Sequence, residues 1–215
     1  MEERLRVLFV SAEVSPFART GGLGDVVGAL PPILASHGLD VRIAMPLYQA
    51  VRERSFSLTP VLQNLRVPLI FGDRTTHILQ SHLGDRAGGN TVYFIEQDEY
   101  FARPGLYDEG AGDYEDNAFR FMFFCAAVLA LVERLEWFPH IIHCHDWHTG
   151  LVSAYLRFLP WPAPQLATAA TVYTIHNLAY QGVFPASIFG ATGLPSRLFR
   201  PTGMEFYGNG IFMKA

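Results

Sequence analysis

This chain of 215 residues has only two cysteines, no block of like charge and no run of about 18 apolar residues of the kind that crosses a bilayer. Each lack excludes something. Cys125 sits in an apolar helical run and Cys144 in an apolar strand-like run, so both read as buried thiols rather than as a bridge, and a reducing compartment follows. A net charge of −4 without a basic cluster argues against nucleic acid and against a polybasic membrane surface. Small molecules or neutral polymers are the expected partners. Residues Met1 to Glu13 carry charges at Glu2, Glu3, Arg4 and Arg6 around an apolar core too short for a secretory leader, so a soluble, cytoplasmic protein is expected. Repeats and low-complexity tracts are also missing.

What is present is a core-forming composition, 50% hydrophobic, in a chain whose length suits one domain or one and a half. Short apolar runs at Arg6 to Val10, Val41 to Met45, Ile141 to Cys144 and Thr171 to Ile175 alternate with helical patterns. That alternation predicts a Rossmann-like, doubly wound and mostly parallel α/β sheet, with Ile142 and Val172 in its core. The first helix is expected from about Asp25 to His37, with a kink or restart at Pro31 and Pro32. Leu65 to Phe71, Thr76 to Leu83 and Thr91 to Ile95, split by Gly-Asp and Gly-Gly turns, predict an antiparallel excursion. Asp116 to Leu135 predicts a long buried helix, and the chain is expected to stop inside an element at I-F-M-K-A.

The most informative segment is S-P-F-A-R-T-G-G-L-G-D-V-V, Ser15 to Val27, directly after the first strand. Its glycines let backbone N–H groups approach a ligand, the following helix points its positive end at the same spot, and Arg19 adds a planar cationic fork. A phosphate-binding turn is the functional reading, and a glycine-rich turn that binds nothing is the bland one. Gly22-x-Gly24 lacks the third glycine of a dinucleotide fingerprint, and no Gly-Lys-Ser/Thr follows.

Two further strand ends carry polar residues. I-I-H-C-H-D-W-H-T-G-L, Ile141 to Leu151, puts His143, His145, Asp146, Trp147 and His148 where open α/β sheets bind ligands. A zinc hydrolase built on His143, His145 and His148 is one reading, but Asp146 stands one place out of register with the H-x-H-x-D-H pattern. V-Y-T-I-H-N-L-A-Y-Q-G-V-F, Val172 to Phe184, ends a strand at His176 and Asn177 and continues through Tyr180, Gln181 and Gly182. Trp147 and Tyr180, beside amides and imidazoles, suit a sugar ring, with plain packing as the other reading of such loop aromatics.

Together, A-R-T-G-G-L-G-D-V-V-G-A-L-P, H-C-H-D-W-H-T-G-L and Y-T-I-H-N-L-A-Y-Q-G resemble the amino-terminal domain of bacterial glycogen synthases and plant starch synthases. R-P-G-L-Y at Arg103 to Tyr107 and D-Y-E-D-N-A-F-R-F at Asp113 to Phe121 extend the likeness over the whole chain. The resemblance implies the acceptor-side half of a two-domain GT-B glycosyltransferase, without the nucleotide-sugar half and without the last strand of its own domain. Such an enzyme moves glucose from ADP-glucose, or UDP-glucose in some relatives, to the 4-hydroxyl of an α-1,4-glucan with retention, using neither metal nor cofactor. By the same matching, Asp146 and His176 fall on active-site residues, and Arg19, Gly21, Gly22 and Gly24 on the donor-phosphate loop, where the family has lysine in place of Arg19. Tyr107 falls near the acceptor, with Trp147, Asn177, Tyr180 and Gln181 as further sugar contacts. G-N-G-I-F near the carboxyl end departs from the family's G-x-I-N-F. A noncatalytic glucan-binding module remains a second reading, the zinc hydrolase a third.

Overall fold

The computed structural model describes residues 4–84, 89–110, 112–160 and 163–215. β1 (Arg6–Val10) is apolar throughout after its first residue and is an interior strand of a seven-stranded sheet. From it the chain passes through α1 (Gly22–Ser36) to β2 (Asp40–Pro46), then through the short α2 (Gln49–Arg52) to β3 (Thr59–Val67), β4 (Arg74–Leu83) and β5 (Asn90–Glu96). After α3 (Asp98–Phe101) and the long α4 (Asn117–Arg134) it returns to β6 (Ile141–His145), α5 (Gly150–Phe158) and β7 (Ala170–Thr174). The strand order is β3-β4-β5-β2-β1-β6-β7. The five strands from β5 to β7 are parallel, and β4 alone runs against its neighbours.

The chain leaves β1 toward β2 on one side and later returns to β6 on the other, so a topological switch point lies at the carboxyl ends of β1 and β6. Ligands bind α/β sheets at such a crevice. The rest of the chain forms a three-stranded antiparallel sheet, β8 (Val183–Pro185), β10 (Asn209–Ile211) and β9 (Glu205–Phe206), with α6 (Ala186–Phe189) between β8 and β9 in sequence.

Three local expectations change. α1 starts at Gly22 rather than Asp25 and runs uninterrupted through Pro31 and Pro32, so no restart occurs there. The antiparallel excursion is joined to the main sheet, because β5 pairs in parallel with β2, and its first strand is Thr59–Val67 rather than Leu65 to Phe71. The hairpin tip at Gly88-Gly89 lies partly outside the described residues. Val172, expected in the core, is 43% exposed because β7 is the sheet's edge strand. Ile142 is fully buried as expected.

α4 forms the core of the opposing layer, with every residue from Phe121 to Val132 buried. Among them sits Arg120, 0% exposed, whose guanidinium donates to Tyr100 O at 2.7 Å, Asn117 Oδ1 at 2.6 Å and Leu106 O at 3.0 Å. A buried cation is tolerated when its donors are used in this way. The arrangement pins the segment carrying Tyr107 onto the helix, and Asn117 Nδ2 adds a bond to Tyr107 O at 3.0 Å. No helix among the described residues is long and apolar enough to cross a membrane.

Candidate active site

The glycine segment is organised by a residue that sequence reading passed over. Glu13, 3% exposed just beyond β1, accepts the N–H of Thr20 at 2.6 Å, the Thr20 hydroxyl at 2.8 Å and the N–H of Gly21 at 3.2 Å. It also accepts the Tyr107 phenol at 2.8 Å. One buried carboxylate therefore holds the turn open just before α1 and ties it to a segment 94 residues away. The free N–H groups of the first turn of α1 lie beside it with the positive end of the helix dipole.

The glycines divide by role. A Cβ on Gly24 would lie 2.6 Å from Arg19 Cβ and 3.4 Å from Glu13 Cβ, so this glycine is demanded by packing. Gly21 and Gly22 have no heavy atom within 4 Å of such a Cβ, so they leave the turn open to an incoming group. Arg19 is at the surface, paired with Asp25 Oδ1 at 2.5 Å and 59% exposed. Screening by solvent keeps that pair weak, and the guanidinium can exchange it for an anion.

Asp146 follows β6 with φ 55° and ψ 177°, a region that side chains other than glycine's occupy only under strain. Its Oδ1 accepts the His176 N–H at 2.7 Å, while its own N–H donates to Thr174 O at 3.0 Å. The strained turn thus welds the end of β6 to the end of β7. Burial raises the Asp146 carboxyl above its ordinary value, partly offset by the hydrogen bond from the His176 N–H. His145, fully buried, places Nδ1 2.9 Å from His176 Nε2, and its ring stacks on His143 at 4.2 Å between centroids. His143 Nε2 meets Thr174 Oγ1 at 2.8 Å.

Other predicted residues are placed differently. Trp147 is 7% exposed, with His148 stacked against it at 4.1 Å and Gly182 close enough that a Cβ there would meet its ring at 2.5 Å. It offers no open face to a sugar and serves as packing. His148 belongs to a separate ring stack with Trp147 and Tyr107, the latter at 4.5 Å, and burial lowers its pKa to about 3. Among the described residues no group of three or more His, Cys, Asp or Glu is arranged to hold a metal ion. Asn177 Oδ1 accepts the Ala179 N–H at 2.9 Å, and Gln181 Nε2 donates to Leu178 O at 3.0 Å, so both side chains shape the loop. Tyr180 is 67% exposed on that loop.

β1, β6 and β7 are parallel neighbours, so the polar residues beyond their carboxyl ends lie along one edge of the sheet. Residues 6–215 match the family described as the starch synthase catalytic domain. The chain belongs to this family. Glycogen synthase 2 of Geobacter sulfurreducens is 44% identical over 210 residues, covering 98% of this chain and 43% of the relative. The glycogen synthase of Moorella thermoacetica is 43% identical over 215 residues, 100% of this chain and 42% of its own length. The catalytic domain of starch synthase IV from Arabidopsis thaliana, solved bound to ADP and acarbose, superposes with a TM-score of 0.85 at 30% identity, over 98% of this chain and 42% of that one. The fold is that of a GT-B glycosyltransferase domain. This starch synthase domain spans less than half the length of the relatives it matches.

Proposed function

We propose that this chain is the acceptor-side half of a glycogen synthase, contributing one wall of a cleft in which glucose passes from ADP-glucose to the 4-hydroxyl of an α-1,4-glucan with retention. The observation that carries the reading is the junction of three strand ends, in which Glu13 secures the phosphate turn and Asp146 secures His176. In the transfer, the C1–O bond to the diphosphate breaks, C1 bonds to acceptor O4, and the hydroxyl proton leaves with ADP. Positive charge develops on the sugar as negative charge develops on the diphosphate, so the site needs donors on the phosphates and polar groups around the ring. The open turn at Gly21 and Gly22 with Arg19 serves the first need. Asp146 and His176 serve the second, with Tyr107 and the Tyr180 loop toward the glucan. A cytoplasmic setting is supported by Cys125 and Cys144, both free and buried.

The test is radiolabel transfer from ADP-glucose to glycogen by this chain alone and by this chain fused to the carboxyl-terminal half of the Geobacter sulfurreducens relative. The chain alone should be inactive and the fusion active, because stabilising the departing diphosphate takes groups from both walls. Incorporation by the chain alone would refute the two-wall reading; a folded but inactive fusion would refute glucosyl transfer.

A further inference from the structure

His145, at the carboxyl end of β6, is a buried titratable group with no part in the mechanism above. Its ring is fully buried, stacked on Phe9 at 5.4 Å and on His143 at 4.2 Å. Burial, reinforced by the two neighbouring imidazoles, lowers its pKa to about 2, so it is neutral under any working condition. A neutral imidazole has one donor nitrogen and one acceptor nitrogen.

Which nitrogen carries the proton follows from what surrounds each. Nδ1 lies 2.9 Å from His176 Nε2, and Nε2 is buried with no hydrogen-bond partner among the described residues. A proton on Nε2 would be an N–H donor sealed among rings with nothing to receive it. Buried orphan donors are rarer than underused acceptors, because an N–H has one direction in which to be satisfied. His143 does not compete for the contact, since its own Nε2 is engaged with Thr174 Oγ1 at 2.8 Å. The proton therefore belongs on His145 Nδ1, and His176 Nε2 must accept it.

We propose that His145 is a positioning residue: its Nδ1–H donates to His176 Nε2 and fixes His176 as the neutral tautomer protonated at Nδ1. His176 is then held at both ends, its main chain by Asp146 Oδ1 at 2.7 Å and its ring by His145. The half-buried ring presents a donor at its other nitrogen, the polarity suited to a sugar oxygen. The tautomer stands on the geometry of this chain; its use at a sugar rests on the glucosyltransferase reading.

Long-range 1H–15N correlation spectra of this chain, labelled at histidine and recorded in mildly alkaline buffer, read each tautomer directly. The expected result is His145 protonated at Nδ1 only and His176 unprotonated at Nε2. The reverse assignment, or a doubly protonated His176, overturns the proposal. His145→Phe keeps the stacking ring and removes the donor, so His176 should become a mixture of tautomers. His145→Asn, whose amide N–H falls near the former Nδ1–H, should restore the single form. A folded His145→Phe protein with an unchanged His176 tautomer would reduce His145 to packing. In the active fusion, His145→Phe should lower kcat about tenfold at nearly constant KM, the size of one lost hydrogen bond, with recovery in His145→Asn. A fusion that folds but transfers no glucose refutes the glucosyltransferase reading and leaves the tautomer to the spectra.

Discussion

The Tyr107 phenol donates to the Glu13 carboxylate across 2.8 Å, joining the segment before α4 to the turn before α1. Because the same carboxylate also receives both Thr20 donors and the Gly21 N–H, its loss strands several groups at once. Glu13→Ala should lower the unfolding free energy by about 3 kcal/mol, and Tyr107→Phe, which removes one donor, by about 1 kcal/mol. Denaturant midpoints of the two variants check the ratio. Equal effects would show that Glu13 is not the hub.

The two kinds of glycine should separate on substitution. Gly24→Ala forces a methyl within 2.6 Å of Arg19 Cβ and should cost about 1–3 kcal/mol, as overpacking does. Gly22→Ala meets nothing within 4 Å and should be neutral or slightly stabilising, through reduced freedom of the unfolded chain. Thermal melting distinguishes them, and a more stable Gly24→Ala would contradict the packing assignment.

Arg19 should matter for the donor and not for the fold. Its partner Asp25 is 55% exposed, so removing the pair should leave the melting temperature unchanged within error. In the active fusion, Arg19→Ala should weaken handling of ADP-glucose by about 1.5–3 kcal/mol, the range for a charge-assisted hydrogen bond. Arg19→Lys should recover much of it. Unaltered kinetic constants in Arg19→Ala would remove the phosphate role.

Asp146→Asn and His176→Ala should lower kcat of the fusion by about a hundredfold or more with a much smaller change in KM. Stability supplies the control. Folding raises the Asp146 pKa, so the carboxyl favours the fold below its ordinary pKa and loses that advantage as pH rises through the folded value. At neutral pH its charge is a burden that Asn lacks, while the Asn oxygen can still accept the His176 N–H. Asp146→Asn should therefore melt no lower than the parent at neutral pH. Inactivation that tracks a fall in melting temperature would assign the residue to folding instead.

Acid should destabilise the fold through buried imidazoles. His145 and His148 have pKa values lowered by burial to about 2 and about 3, so both favour folding above the ordinary histidine pKa and lose that contribution as pH falls below it. Each should add about 1.4 kcal/mol per pH unit to the slope of unfolding free energy between about pH 6 and pH 4. Urea titrations across that window measure the slope, and His148→Phe should reduce it. A slope unaffected by that change would mean the ring is not buried neutral.

Much of the fold was legible because its determinants are local. β1 begins and ends where its apolar run does, and β2, β6 and β7 lie within a residue or two of theirs. α4 likewise follows its breaker-free apolar stretch. Polar residues clustered at strand ends marked the edge of the sheet where ligands bind in open α/β folds.

Side-chain roles were less legible, because a partner 30 or 90 residues distant leaves no trace in local pattern. Glu13 looked like an ordinary acidic residue between Ala12 and Val14, and only the approach of Tyr107 and Thr20 made it a hub. Trp147 read as a sugar platform until Gly182 covered it. Arg19 read as a substitute for the family's lysine, and in the fold it lies at the surface beside Asp25. By itself the sequence determined the period and order of the elements, and with them the parallel α/β architecture, because backbone propensity and alternation act over neighbouring residues. The tertiary structure decided that β7 would be an edge, that Val172 would face outward, and that His145 and Asp146 would grip His176 from two sides. Burial and hydrogen-bond partnership are properties of segments brought together in space, so they exist only once the sheet has formed.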